Sequence, residues 1–239
     1  MEHYRKAVGR LPEKIIAAVG LESFQSARVQ GSEELRLPFL LEPDFFDLLA
    51  DPLVLGCADV VLGPAATLRF FNIAITPPSS ATTMPRSNAD WHQNFKVFLA
   101  GPDRRPLLLD LVIPLSNPGT RLEIVPGSHT MPQCPNDDWL AAHAINIEPR
   151  MGEMLVMSPF LWHRELANSC PSDMAGVFLQ LSRPFIKPHA DYMRAVDAAT
   201  LARLPERTRR LLGSYTQLPT SLTEFYLPPE QRPYRPGQW

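Results

Sequence analysis

Three polar residues in two separate runs set the chemical question. His92 and Asn94 stand two apart in the stretch WHQN, and His163 ends the run SPFLWH. On an extended strand, residues two apart share a face. A histidine and a carboxylate so spaced, joined by a second histidine from a distant strand, form the open three-ligand site that holds Fe(II) and leaves room for a co-substrate and oxygen. Here the third position is an amide. Asn94 offers a coordinating oxygen but no net negative charge, so Fe(II) is expected to sit more weakly on His92, Asn94 and His163 than on a set containing a carboxylate. Asp90, two residues before His92, would share its face on a regular strand and is the alternative carboxylate. Arg183, past the last strand-like run, is either a cation reaching inward toward an acidic co-substrate or a solvated charge at a strand end.

The runs that must carry these residues change character along the chain. RLPEKIIAAVGLESFQ and PDFFDLLADPLVLGCADVVLG place apolar residues at helical spacing, with Pro43 before the second and Gly63 after it. From Leu68 the pattern becomes strand-like. LRFFNIAI, HQNFKVFL, LLLDLVIPL, RLEIVPGS, EMLVMSPFLWH and GVFLQLSRPF are short, rich in β-branched and aromatic residues, and separated by Pro, Gly, Ser and Asn. Too little chain lies between most of them for crossover helices, which predicts antiparallel sheets in a sandwich or jelly roll. DAATLARLPERTRRLLG returns to helix, and a Pro-rich strip follows from Pro219. One domain is expected over 1–239, with a helical part to about 63, a β core over about 68–185 and a helical, Pro-rich tail from about 190.

With these motifs in view, the chain resembles the phytanoyl-CoA dioxygenase family of Fe(II)/2-oxoglutarate oxygenases. WHQN is similar to that family's metal strand, LEIVPGSHT (Leu122 to Thr130) to its proline-glycine-serine-histidine turn, and GEMLVMSPFLWHRELAN (Gly152 to Asn168) to the segment with its distal iron histidine. LGPAATLRFFNIAI and LQLSRPF extend the likeness over roughly residues 38 to 190. The resemblance implies a double-stranded β-helix, mainly β with flanking helices, and metal ligands at His92, Asn94 and His163. It also implies two departures. The metal carboxylate falls on Asn94, and the 2-oxoglutarate-anchoring arginine falls on Met174, with Cys170 at a serine position and Asn168 retained as a co-substrate contact. A thioether cannot pair with the far carboxylate of 2-oxoglutarate as a guanidinium does. The exchange Asn94→Asp with Met174→Arg is the pair expected to restore binding.

Composition narrows the partners. With 23 Lys and Arg against 25 Asp and Glu, the net charge is −2, and no basic stripe suits nucleic acid. No run is long and apolar enough to span a bilayer, and the charged N-terminus does not read as a signal peptide. Cys57, Cys134 and Cys170 suggest neither a disulfide framework nor zinc, so a cytoplasmic protein is expected. His3, His143 and His189 read as structural, His129 as ordering its turn, and Trp91 and Trp162 as core residues on the strand face opposite the histidines.

The resemblance and its departures imply a degenerate, non-catalytic protein that serves as auxiliary subunit to a homologous, active oxygenase in a heterodimer. Its flavour is that of fungal secondary-metabolite tailoring enzymes of terpenoid and meroterpenoid pathways. No tightly bound cofactor is then expected. The alternative is an active enzyme that uses Fe(II) and 2-oxoglutarate to oxidise an apolar small molecule, with Asn94 or Asp90 as third ligand and Asn168 on the co-substrate. A small-molecule binding module is a further possibility, since the pocket of such a fold can outlast its metal. The tail TSLTEFYLPPEQRPYRPGQW, aromatic and Arg-bearing in a Pro-rich frame, suits lying across another surface.

Overall fold

The structure, a computed structural model, describes residues 1–26, 33–78, 90–95, 106–117, 120–131 and 133–232. Its β elements are β1 (Glu33–Arg36), β2 (Thr67–Thr76), β3 (Leu108–Pro114), β4 (Leu122–Ile124), β5 (Ile145–Ile147), β6 (Leu155–Met157), β7 (His163–Glu165) and β8 (Met174–Ser182). Two sheets form from them. One has the order β1-β2-β8-β3-β6 and the other β5-β4-β7, with every pairing antiparallel. The architecture is the mainly β jelly roll, a double-stranded β-helix with flanking helices.

Alternation along the long strands explains how the layers assemble. Phe71 and Ile73 of β2, Leu109, Leu111 and Ile113 of β3, and Val177, Leu179 and Leu181 of β8 point to one face of the large sheet. Onto that face pack α1 (Glu2–Val19), α3 (Phe46–Ala50), α4 (Pro52–Val61) and α8 (Glu206–Leu211), through Leu11, Leu49, Ala58 and Leu211 among others. Phe71 sits at the centre of this layer against Phe39 and Phe45. The intervening residues, including Asp110 and Gln180, face the other way, into the space between the sheets.

The regular alternation fails once. The β2–β8 register shifts between Leu68 and Phe70, leaving Arg69 as the extra residue of a β-bulge. Its unpaired carbonyl accepts from the backbone N–H of His189 and from the Tyr192 hydroxyl, both at 2.8 Å. The bulge turns the Arg69 guanidinium toward Gln180 on the inner face.

Several runs differ from their sequence reading in instructive ways. EMLVMSPFLWH is two strands, β6 and β7, in different sheets, because Pro159 lies in a turn closed by a Leu161 N–H to Ser158 carbonyl bond of 3.1 Å. HQNFKVFL contributes only an isolated bridge at His92, and residues 96–99 lie outside the described residues. The second helical run breaks at Asp51, whose side chain caps α4 by accepting from the Leu53 N–H at 2.8 Å. Pro205 likewise divides the tail helix into α7 (Ala198–Arg203) and α8. Among the described residues, no helix is long and apolar enough to cross a membrane.

Candidate functional site

The two histidines meet across the edge of the small sheet. His92 and His163 form an antiparallel bridge, each N–H donating to the other's carbonyl at 2.9 and 3.0 Å. Their rings lie 4.4 Å apart, centre to centre. Each Nδ1 lies 2.8 Å from a carbonyl two residues back, that of Asp90 for His92 and that of Leu161 for His163. A carbonyl only accepts, so Nδ1 carries the proton and Nε2 presents its lone pair, the tautomer a metal requires. Burial, with His92 alongside, pushes the His163 pKa down to about 4 and keeps it neutral. The serine of the predicted turn holds this edge in place. Buried Ser128 donates to the Val125 carbonyl at 2.7 Å and accepts the Trp162 N–H at 2.9 Å, whereas His129 is exposed.

Asn94 is held from the large sheet. Its Nδ2 donates to Oδ2 of Asp110 at 2.9 Å, while Oδ1 of Asp110 accepts from Nε2 of Gln180 at 2.7 Å. Oε1 of Gln180 in turn accepts from Nη1 of Arg69. Because Arg69 can only donate, Gln180 turns its Nε2 to Asp110, and Asp110, as acceptor, takes the Nδ2 of Asn94. Asp110 is 3% exposed, and burial pushes its pKa up to about 6 against the opposing pull of Asn94, Gln180 and Arg69. Burial also lowers the pKa of Arg69, whose Nε is enclosed without a partner and whose guanidinium lies 5.3 Å from the centre of the Phe95 ring.

Asp110, Gln180 and Arg69 were missed from the sequence. A signal was present: Asp110 interrupts the otherwise apolar LLLDLVIPL, and an acid inside a fully buried strand needs partners. The other candidates fall elsewhere. Asp90 is exposed, and the chain bends at both Asp90 and Asn94, so the two-residue rule for a regular strand does not carry its carboxylate to the histidines. Among the described residues, no group of three His, Cys, Asp or Glu side chains is placed to hold a metal ion. Asn168 is fully buried and spends its Nδ2 on the carbonyls of Thr76 and Ser172, both at 2.9 Å, and its Oδ1 on the Cys170 N–H. It pins its own loop to β2. Met174 is buried opposite Thr76 at the start of β8, six residues and roughly 20 Å of strand from Gln180. Arg183, half-buried, donates to the Pro106 carbonyl at 2.8 Å.

The remaining expectations divide similarly. Trp91 and Trp162 are half-buried, not core: Trp91 lies under the Arg164 guanidinium, and the Trp162 indole donates to the Met131 carbonyl at 3.0 Å. His143 stacks on Trp139, and His189 on Phe70. The three cysteines are free thiols.

These residues fit the iron and 2-oxoglutarate pair poorly. Two imidazoles and one amide make a neutral donor set, and the nearby carboxylate, Asp110, already holds two amides. At the co-substrate position, Met174 offers no charge and Asn168 no uncommitted amide.

No protein-family model matches the chain. Two curated proteins, both uncharacterized, are 34% identical over 236 residues, covering 98% of this chain and 85% of their own length: Mb1539 of Mycobacterium bovis and Rv1501 of Mycobacterium tuberculosis. Among solved structures, EctD from S. alaskensis with 2-oxoglutarate and 5-hydroxyectoine aligns with a TM-score of 0.55 at 18% identity, over 75% of this chain and 66% of that one. The non-heme monooxygenase ThoJ aligns at 0.54 and 17%, over 78% and 71%. The non-heme alpha ketoglutarate dependent epimerase SnoN from nogalamycin biosynthesis aligns at 0.53 and 14%, over 80% and 79%. The shared feature is the fold of non-haem, 2-oxoglutarate-dependent oxygenases.

Proposed function

Because this chain belongs to the family of the uncharacterized mycobacterial proteins Mb1539 and Rv1501 and has the fold of Fe(II)/2-oxoglutarate oxygenases, we propose that it is a non-catalytic member of that superfamily, an auxiliary subunit of an active oxygenase. The observation that carries this reading is the hydrogen bond from Asn94 to buried Asp110. It ties the uncharged amide at the expected third metal position into the protein's own polar network, while the expected co-substrate positions hold Met174 and an Asn168 whose amide is already bonded. A surface suited to a partner supports the same reading. Phe185, Leu218, Leu222, Phe225 and Tyr226 are large apolar residues left exposed along the loop after β8 and the tail around α9 (Leu222–Phe225). The complex would act on an apolar secondary metabolite of the terpenoid type. The two relatives are bacterial, so the active partner is to be sought first in a bacterial tailoring pathway and not a fungal one.

A second reading, a working oxygenase with Asn94 as its third ligand, is favoured by one observation: both histidines already present the metal-ready tautomer. One experiment separates the two. The purified chain is titrated anaerobically with Fe(II) and then 2-oxoglutarate, and the visible charge-transfer band of the chelated co-substrate is followed beside an active homologue. No band from this chain is the expected result. A band of the homologue's strength would overturn the non-catalytic reading. Co-expression with homologous oxygenases then tests the subunit: co-purification is expected, and Phe225→Ser with Tyr226→Ser should abolish it.

A further inference from the structure

A groove of about 980 Å³ runs between the loop that follows β8 and the chain that follows α8. Leu68, Tyr192 and Leu212 line it from the buried core, and none of His92, Asn94, Asp110 or His163 lines it. Both walls are fixed by hydrogen bonds. The loop hangs on the bulge, whose Arg69 carbonyl takes the His189 N–H and the Tyr192 hydroxyl, both at 2.8 Å. The other wall turns at Gly213, whose φ of +98° suits glycine and whose carbonyl accepts the Thr216 N–H at 3.0 Å and hydroxyl at 3.2 Å. A preformed concavity of this size takes a small molecule.

The lining is of two kinds. Phe185 on one wall and Leu218 on the other are 62% and 76% exposed, large apolar side chains left open to solvent. Lys187 and Arg194 add two cations, and among the described residues no carboxylate is bonded to either. The acids that share the groove are engaged. Asp191 accepts the Arg194 backbone N–H at 3.2 Å, and Glu224 accepts the Thr220 N–H and hydroxyl at 2.6 and 2.9 Å. His189, on the same wall as Lys187, is held below its usual pKa first by burial and then by the charges of Arg69 and Arg36, so positive potential reaches this wall from behind as well. The charged hydrogen-bonding capacity left open in the groove is thus cationic.

We propose that this groove binds an amphipathic anion: a dissolved small molecule whose apolar body lies between Phe185 and Leu218 and whose acidic head group, a carboxylate, sulfonate or phosphate, pairs with Lys187 and Arg194. The apolar contact supplies affinity, and the two cations select the head group. The site needs neither metal, co-substrate nor partner subunit, so it stands or falls separately from the reading of the chain as an auxiliary subunit. Leu222, Phe225 and Tyr226 do not line the groove and remain available to a partner while it is occupied.

The test is a fluorescence titration of the full chain with two probes that share their aromatic rings, anilinonaphthalene sulfonate and the uncharged phenylnaphthylamine. Both are expected to bind saturably. Lys187→Glu with Arg194→Glu should weaken the sulfonate at least about tenfold and the neutral probe by less than about twofold. Both side chains are exposed, so the variant should fold, and an unchanged Tm checks that it does. If its Tm falls, Lys187→Met and Arg194→Met, each expected to weaken the sulfonate about threefold, read the same selectivity. Laurate should displace the sulfonate, and dodecyltrimethylammonium should not. Equal effects of the substitutions on both probes, or none on either, would overturn the proposal, leaving an apolar patch without a head-group site. Sedimentation with phosphatidylglycerol vesicles separates a dissolved ligand from a bilayer. The chain is expected to stay in solution; sedimentation that the double Glu variant abolishes would assign the two cations to a membrane surface and overturn the proposal equally.

Discussion

The two faces of the large sheet are built from the same three long strands and follow opposite rules. On the outer face, Phe71, Leu111 and Leu179 are sealed under helices, and apolar contact does the work. On the inner face, Arg69, Gln180 and Asp110 form a chain of hydrogen bonds that ends at Asn94. Apolar packing tolerates many substitutions that preserve volume. A buried polar chain tolerates few, because each member dictates what the next must donate or accept. The difference explains why an amide at position 94 and a thioether at position 174 are compatible with the fold: the stabilising layer lies on the other side of the sheet.

The comparison breaks most visibly if the outer face proves dispensable. Phe71→Ala, which empties the centre of the Phe39–Phe45 cluster, is expected to cost about 3–5 kcal/mol in urea unfolding. A loss below about 1 kcal/mol would mean the helical layer is not the main source of stability.

The inner face should reveal itself through pH. Asp110 has its pKa raised from 3.8 to about 6, so its contribution is fully present below pH 3.8 and is lost as pH rises to 6. His163 has its pKa lowered from 6.5 to about 4, so its contribution is present above pH 6.5 and is lost as pH falls to 4. Each amounts to roughly 3 kcal/mol, and within the shared window they oppose each other. Stability of the wild type in metal-free buffer should therefore change little between pH 6.5 and 4 on account of this pair. Asp110→Asn should unmask the histidine, with stability falling by roughly 2–3 kcal/mol as pH is lowered through that window. A flat profile in the variant would show that His163 is not held neutral by burial.

The smallest expected effect belongs to an ion pair on the outer layer. Glu42 is held to a pKa of about 2, first by its bond from Arg10 at 2.8–2.9 Å and then by Lys14 at 2.7 Å. Its contribution is present above pH 4.5 and is lost as pH falls toward 2. Arg10 and Lys14 are themselves well exposed, so solvent screens the cluster. Glu42→Gln should cost only about 1 kcal/mol at neutral pH and still less in high salt. A larger, salt-insensitive loss would place a second tightly organised polar cluster on the face assigned to apolar packing.

Much of this was legible in order and little of it in aim. The strand runs at 68–75, 107–115 and 176–185 are β2, β3 and β8, because alternation and β-branched composition are local properties of the chain. The histidine pair could also be anticipated, since each member sits in a strand-forming run. Arg69 could not. A bulge is a mismatch between two strands, so which face Arg69 takes depends on its partner β8, more than 100 residues away. The surroundings of Asn168 and Asp90 were hidden for the same reason: their types suit ligands, but hydrogen-bond capacity and exposure are assigned by neighbours remote in sequence.

What the sequence alone determined is the succession of helical and strand segments, the neutral residue at position 94 and the absence of a cation at 174, all of which follow from residue identity and local periodicity. What only the tertiary structure decided is that buried Asp110 meets Asn94 at all. Asp110 and Asn94 belong to different segments, and whether an acid and an amide repel, bond or never meet is settled by register across the sheet, which no local pattern encodes.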